Sequence, residues 1–591
     1  MNKIKFIILF VCTCLAVTSC DFLEKDPTKL TPEVYFNNEA EASAFLTGVY
    51  GPLISQNLYG GEMYMHQVAG DDLAHYGGGR PAYGNGAISC RNATASSTPF
   101  SNIWYTLYVG IDRANTFLEH IDNTPEINER TRAQYKSEAR FLRAYYYFML
   151  VQHWGDVPFK TSSTQSVGNL NIPRTDKAVI YDFITKEMTE CADGLKTAAE
   201  LGFKPGRISR STAWGIVARV NLFRAGEHFR DHKSPNEQEI KQYLTIANEN
   251  AKKVMNEGHG LAPNYCDVFI DMSADLYNTT ANESIWEIEF AGDNNGEIKS
   301  QGRIGNLIGM KCPDASNQLN LIGKDDPGFG YAYYWSTPKL YQLYLDNNDK
   351  ERMNWNIAPF EYVEKTKGKG VTGRYFEYGK REECKNETWW ERSYVYGDND
   401  SPTADKDKTG DYEKKQETSD KSWSRACGKY RREFEYPNGK KHKNYTRINF
   451  PMLRYSDVLL MVAETENELN AQPTSLAFQC INDVRERAGI STYEEGTLNK
   501  DEFRKAIKDE RGMELCFEFT RRGDLIRWGE YVKNMQEMYA LAQQGAGAHW
   551  EPALNYGVYS FFNITETYNY FPIPDAEMSV NKAITENNPG W

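Results

Sequence analysis

The sequence predicts a mainly α protein, a tetratricopeptide-like helix-pair scaffold with a loop-rich, partly β region set into it. Three observations carry this expectation. Apolar residues recur every three to four positions in successive paired segments. Small alanines stand where neighbouring helices must approach. Between about residues 259 and 452 the helical period gives way to alternating and turn-rich sequence. The full repeat consensus is absent, so an irregular α bundle is the alternative.

The chain begins MNKIKFIILFVCTCLAVTSCDFLEKDP. Lys3 and Lys5 precede an apolar run from Phe6 to Val17, which has the layout of a secretory leader and is too short to span a bilayer. Val17-Thr18-Ser19-Cys20 resembles a bacterial lipobox, in which the cysteine is acylated and becomes the first residue. An ordinary secretory peptide whose Cys20 later pairs is the alternative. Residues 1–19 are therefore expected to be a lipoprotein signal peptide, and 20–591 a single body held to a membrane through Cys20. Loss of Lys3 and Lys5 takes the formal charge from −13 to −15. So acidic a body lacks the basic face that nucleic-acid binding requires.

Eight cysteines lie beyond Cys20, scattered and without CxxC spacing, which indicates neither a zinc cage nor a disulfide framework. Aromatics make up 13% of the chain, with 38 Tyr and 12 Trp, while the hydrophobic total is only 40%. That excess suggests rings used on surfaces as well as in the core.

Helix pairs start with FSNIWYTLYVGIDRANTFLEHID and RAQYKSEARFLRAYYYFMLVQHWGDVP, the second carrying a stripe of Ala139, Leu142, Tyr146, Met149 and His153 that stops at Gly155. AVIYDFITKEMTECADGLK pairs with SRSTAWGIVARVNLFRAG, where Gly226 is expected to end the helix. EIKQYLTIANENAKKVMNEG opens a third pair. Later, PMLRYSDVLLMVAETENELN and SLAFQCINDVRERAGI form another, followed by the charged helix KDEFRKAIKDERGMELCFEF. The scaffold thus occupies about 40–258 and 453–530, the variable insertion about 259–452, and a C-terminal segment 531–591. Within the insertion, ESIWEIEF alternates like a strand. The run DKDKTGDYEKKQETSDK, with six acids and five bases in 17 residues, reads as a solvated loop.

The ordered series of a lipobox, AEASAFLTGVYGPL, EARFLRAYYYFMLVQHWGDVP, RSTAWGIVARVNLFRAG, PMLRYSDVLLMVAETENEL, INDVRERAGI, ERGMELCFEFTRRGDLIRWG and FPIPDAEMSVNKAITENNPGW resembles the SusD/RagB family of outer-membrane lipoproteins from Bacteroidetes, from Cys20 to the C-terminus. The resemblance implies about four tetratricopeptide-like helix pairs, with the ligand site in the variable region. It implies a cell-surface protein, not an enzyme, that captures oligosaccharide and delivers it to a SusC-like TonB-dependent transporter. It also makes Asp21, Glu24 and Asp26 a signal for export to the outer face. Where the family commonly continues Glu-Gly, this chain has Glu518-Phe519, and Arg522-Gly523 replaces a pair that is often aromatic.

Sugars present apolar C–H faces and rings of hydroxyls, so aromatic residues mixed with Asp, Asn and Arg suit them. The first such loop, NLYGGEMYMHQVAGDDLAHYGGGRPAYGNGAISCRN, would display Tyr59, Tyr64 and His75, and offers Asp72, Tyr76, Arg80 and Tyr83 as glycan contacts. Its tyrosines alternatively line the core edge or the barrel interface. The second loop, DDPGFGYAYYWSTPKL, offers Tyr333 and Trp335, chosen by analogy of position within the family. Trp389 and Trp390 form a third candidate. Trp104, Trp154, Trp286 and Trp528 are expected in the core.

Glu510, Arg511, Glu514, Arg521, Asp524 and Arg527 read as an ion-pair network rather than a hydrolytic carboxylate pair. His228 and His232 have metal-pair spacing, but Phe229 stands where a zincin needs Glu, so no metal is assigned. No cofactor motif is present in the sequence. A peptide or glycopeptide binder of the same scaffold, and a surface glycoside hydrolase, are the rival functions.

Overall fold

The computed structural model describes residues 36–61, 64, 70–77, 89, 92–166, 170–277, 281–291, 302–312, 328–364, 373–377, 380–384, 390–394, 420–423, 425–435, 442, 444–546, 560–562 and 564–591. Cys20 and its acidic neighbours lie outside them, as does most of the 17-residue charged run. No helix among the described residues is long and apolar enough to cross a membrane.

The protein is mainly helical, as the periodicity predicted. The scaffold runs through α1 (Glu39–Tyr50), α2 (Thr98–His120), α3 (Glu129–Trp154), α4 (Lys177–Cys191), α5 (Arg210–Asp231) and α6 (Glu237–Met255). Each packs on the next, and the succession continues from α6 across the insertion to α10 (Tyr455–Leu469) and α11 (Ser475–Arg487). Starts are set by side-chain caps that satisfy otherwise orphaned backbone N–H groups. Asn38, Asn128, Asp176 and Asn236 cap α1, α3, α4 and α6, and Ser209 forms a reciprocal capping box with Thr212 on α5.

The stripe predicted on α3 is buried, but so is almost every residue from Ser137 to Trp154. The helix is enclosed because α2 and α4 flank it and the C-terminal segment closes over its end. There Trp154 Nε1 donates to the Pro572 carbonyl at 2.8 Å, and the Phe571 N–H donates to the His153 carbonyl at 2.6 Å. Trp104, Trp154 and Trp286 are in the core, whereas Trp528 is only partly buried and donates to Glu464 at 3.0 Å.

Two boundaries differ from expectation. Gly226 does not end α5, which continues to Asp231. A Cβ there would stand 2.2 Å from the Arg527 carbonyl oxygen, so the glycine lets α5 touch α13 (Arg521–Arg527) backbone to backbone. PMLR is not the start of a helix either. Phe450–Arg454 forms strand β10, antiparallel to β4 (Ser284–Ile288), and α10 begins at Tyr455. Every residue of both strands is buried, so the alternation in ESIWEIEF marks a strand covered on both faces.

Other strands are short pairs: β1 (Ala74–Tyr76) with β5 (Tyr334–Ser336), β2 (Val157–Pro158) with β3 (Arg174–Thr175), β6 (Phe360–Glu364) with β9 (Trp390–Tyr394), and β7 (Gly373–Glu377) with β8 (Lys380–Cys384). Helices α7 (Asp267–Ser273), α8 (Pro338–Asp346) and α9 (Lys350–Asn356) lie between α6 and α10 along the chain. α12 (Lys500–Leu515) begins with an Asn499/Glu502 capping box, and α14 (Tyr531–Ala546) follows α13.

The acid-base series on α12 and α13 is a buried ion-pair lattice. Arg352 of α9 binds Asp349 at 2.6 Å, Glu510 at 2.6 Å and Glu514 at 3.0 Å. Arg454 of β10 binds Glu283, Glu514 and Glu518 at 2.6, 3.0 and 2.7 Å. Arg511 joins Asp457 to Asp524. Burial would raise the Glu514 carboxyl, but Arg487, Arg454 and Arg352 hold it far below the usual range. Such pairs fix how elements meet, because a buried charge without its partner is very costly.

Candidate functional site

The aromatic run YAYYW leads into strand β5 (Tyr334–Ser336), and burial alternates along it. Ala332, Tyr334 and Ser336 face inward and are fully buried, while Tyr331, Tyr333 and Trp335 face outward and are half-buried. Ala332 lies in the left-handed region (φ 50) just before β5, and the Tyr331 and Tyr333 rings stack at 4.9 Å with 21° between planes. Phe329 meets Tyr331 edge-on at 4.6 Å.

β1 supports this row from beside it, with His75 opposite Trp335 and Tyr76 opposite Tyr334. The Gly77 N–H extends the pairing by donating to the Tyr333 carbonyl at 2.8 Å. A Cβ on Gly77 would sit 2.6 Å from the Trp335 ring, so the indole lies directly on the glycine backbone. His75 is wholly buried, and burial lowers its pKa to about 4. It is therefore neutral at physiological pH, with Nε2–H donating to the Trp423 carbonyl at 2.6 Å. Its ring meets the Trp335 and Trp423 rings edge-on.

The strand pair is moored by the turn before it. Asp72 takes Arg521 bidentately at 2.8 and 2.9 Å and Lys339 at 2.7 Å. Burial would raise the Asp72 pKa, but those two cations hold it at about 2. Its neighbour Asp71 accepts the Leu73 and Ala74 N–H groups at 2.8 and 3.0 Å. Burial, with the Asp72 charge beside it, pushes the Asp71 carboxyl up to about 7. Thr337 hydrogen-bonds the Asp72 carbonyl at 2.8 Å and caps α8.

The candidates proposed from sequence therefore separate. Tyr333 and Trp335 lie together on one row, with Tyr76 largely buried beside it, its ring 5.8 Å from Tyr333 and 5.6 Å from Tyr334. Asp72 is a correction: with no exposed surface and three cationic contacts, it is a mooring of the scaffold and not a hydroxyl acceptor on a surface. Tyr59, Tyr64 and His75, expected on display, are buried. Arg80, Tyr83 and Trp389 lie outside the described residues, and Trp390 is described only as backbone of β9, opposite Glu364. Sequence reasoning passed over Tyr331, which the two-residue period connecting it to Tyr333 and Trp335 could have found.

No group of three or more His, Cys, Asp or Glu side chains among the described residues is arranged to hold a metal. The His228 and His232 rings lie 4.1 Å apart, tilted by 30°, and His228 Nε2 accepts the Asn236 N–H at 3.2 Å beside the α6 N-terminus.

Comparison with known proteins agrees with this architecture. The model described as the SusD family matches residues 282–591, and one described as starch-binding associating with outer membrane matches 21–222. A SusD-like protein P25 from Formosa agariphila is 26% identical, covering 99% of this chain and 98% of the relative. The starch-binding protein SusD of Bacteroides thetaiotaomicron is 22% identical over 82% of this chain and 78% of its own. Among solved structures, a SusD homolog from Bacteroides thetaiotaomicron superposes with a TM-score of 0.79 at 24% identity, covering 96% of this chain and all of that one. A laminarin-binding SusD-like protein gives 0.62 at 21% identity, covering 94% of this chain and all of its own. With one family model spanning more than half its length and relatives aligned from end to end, the chain belongs to the SusD family.

Proposed function

We propose that this protein is a surface glycan-binding lipoprotein of the outer membrane, anchored through Cys20, that captures oligosaccharide and passes it to a SusC-like TonB-dependent transporter. The carrying observation is the outward row Tyr331, Tyr333 and Trp335. Trp335, backed on one side by Gly77, offers a flat apolar face for a sugar ring, and the stacked Tyr331 and Tyr333 rings precede it along the chain. The names of two relatives, one starch-binding and one laminarin-binding, support a glycan as ligand, and the description of the N-terminal match supports outer-membrane association. The electrostatics of α12 support binding without hydrolysis. The α12 carboxylates that would have to act as acid and base are buried and neutralised by arginines, whereas glycoside hydrolysis needs two carboxylates flanking an accessible bond.

Titration calorimetry of the full chain in detergent against starch, laminarin and a wider polysaccharide panel tests the proposal. At least one glycan should bind, and Tyr333→Ala and Trp335→Ala should each weaken it about tenfold or more, in the range of an interface hot spot. Unchanged affinity in both variants places the site elsewhere. Steady release of reducing ends refutes a purely binding role.

A further inference from the structure

The row of half-buried rings does not stop at Tyr331. Phe329 meets Tyr331 edge-on at 4.6 Å and is half-buried too, so Phe329, Tyr331 and Tyr333 run in contact up to the strand that carries Trp335. At the Phe329 end a second part of the chain, around His442 and Tyr445, is fastened to the row.

One short segment, residues 302–307, holds both parts. The Asn306 carbonyl accepts the Tyr331 N–H at 2.8 Å and the Leu307 carbonyl accepts the Tyr333 N–H at 2.7 Å. Asn306 Nδ2 donates to the Phe329 carbonyl at 3.0 Å. At the other end of the segment Gly302 pairs with Thr446, whose N–H donates to the Gly302 carbonyl at 2.7 Å. Arg303 joins the two ends: Nη2 donates to Asn306 Oδ1 at 3.3 Å, and the guanidinium lies 5.9 Å from the centre of the Tyr445 ring.

Arg432 makes the second fastening. Nη1 donates to the Phe329 carbonyl at 2.8 Å, and Nη2 to the His442 and Tyr445 carbonyls at 2.7 and 3.3 Å. Nε donates to Glu435 at 2.9 Å, and a Cβ on Gly328 would stand 2.7 Å from the guanidinium carbon, so the glycine lets that group lie against the backbone. A single planar fork thus fixes the His442 and Tyr445 backbone beside Phe329.

The side chains held there suit a hydroxylated ring. Tyr445 and His442 are half-buried, with ring centres 4.7 Å apart. His442 Nδ1 accepts the Asn444 N–H at 3.1 Å, which leaves the ring proton on Nε2 as a donor. Burial, with the Arg432 charge beside it, lowers the His442 pKa, so the imidazole is neutral at physiological pH.

We propose that Tyr445 and His442 form an outer subsite continuous with the aromatic row, occupied by the far sugars of a longer oligosaccharide, so that the protein selects its ligand by chain length. The inference rests on the glycan reading and adds the extent of the footprint. A disaccharide on Trp335 leaves the outer subsite empty, because Tyr333, Tyr331 and Phe329 lie between.

The probes are malto- and laminari-oligosaccharides of two to seven units, titrated calorimetrically into the full chain in detergent. At least one series should bind, with affinity rising about tenfold or more from trisaccharide to heptasaccharide. Tyr445→Ala should weaken the heptasaccharide about fivefold or more and the trisaccharide less than about twofold, while Tyr445→Phe, which keeps the ring, should bind both as wild type does. Both variants should melt as wild type does, and Trp335→Ala should weaken both lengths. Affinity that does not depend on length, or a Tyr445→Ala loss that is absent or equal at both lengths, overturns the subsite and leaves the glycan reading standing. Binding by neither series overturns the subsite as well, and the wider polysaccharide panel then decides the glycan reading separately.

Discussion

Asp71 and Asp72 stand side by side without exposed surface, yet their environments drive them apart, and Asp71→Asn measures that directly. Asp71 has a pKa near 7 in the folded chain against an ordinary 3.8, because burial and the Asp72 charge both disfavour its ionisation. A carboxyl raised on folding binds its proton more tightly in the native state, so wild-type stability falls as pH rises from about 4 to about 7. Three pH units at about 1.4 kcal/mol each set an upper bound of about 4 kcal/mol for the loss. Asp72 has the opposite sign and a separate window: its pKa of about 2 gives stability present above about 4 and lost as pH falls below it. Asparagine at 71 keeps the Oδ1 acceptor for the Leu73 and Ala74 N–H groups and never ionises. Urea denaturation of both proteins at half-unit steps from pH 4 to 8 should give curves that diverge with rising pH, the variant being more stable at pH 8 by about 1–4 kcal/mol. Glu287, also buried with a pKa near 7, is common to both chains and cancels in the difference. A difference that stays constant across this range, or a variant less stable at pH 8 than at pH 5 relative to wild type, refutes the reasoning.

Two other outcomes follow from the packing and the leader. Gly226→Ala gains about 1 kcal/mol of helix propensity, but its methyl meets the Arg527 carbonyl oxygen, which belongs to another helix and cannot swing aside. A net destabilisation of about 1–3 kcal/mol is expected, read as a lower denaturation midpoint, and an unchanged or higher midpoint contradicts the close contact. Cys20→Ser should move the protein from the membrane fraction to the soluble fraction of fractionated cells; continued sedimentation with membranes removes the lipid anchor from the proposal.

The helical part of the fold was legible because its signals are local. A cap such as Ser209 or Asn499 and a recurring apolar spacing act within a few residues. The boundary errors came from partners distant in sequence. Gly226 reads as a terminator until Arg527 is placed against it, and PMLR reads as helix until β4 pairs with it. The site shows the same division. Outward Tyr333 and Trp335 follow from strand period, while Asp72 looked like a displayed ligand residue and is consumed by Arg521, 449 positions away.

By itself, the sequence determined the mainly α scaffold, the helix pairs and the family to which they belong, since periodicity, capping and ordered blocks are properties of neighbouring residues. Only the tertiary structure decided which charges are used up in ion pairs and which rings remain half-open to solvent. Those outcomes depend on groups brought together from remote parts of the chain, where burial and Coulomb attraction act through space and leave no spacing to read.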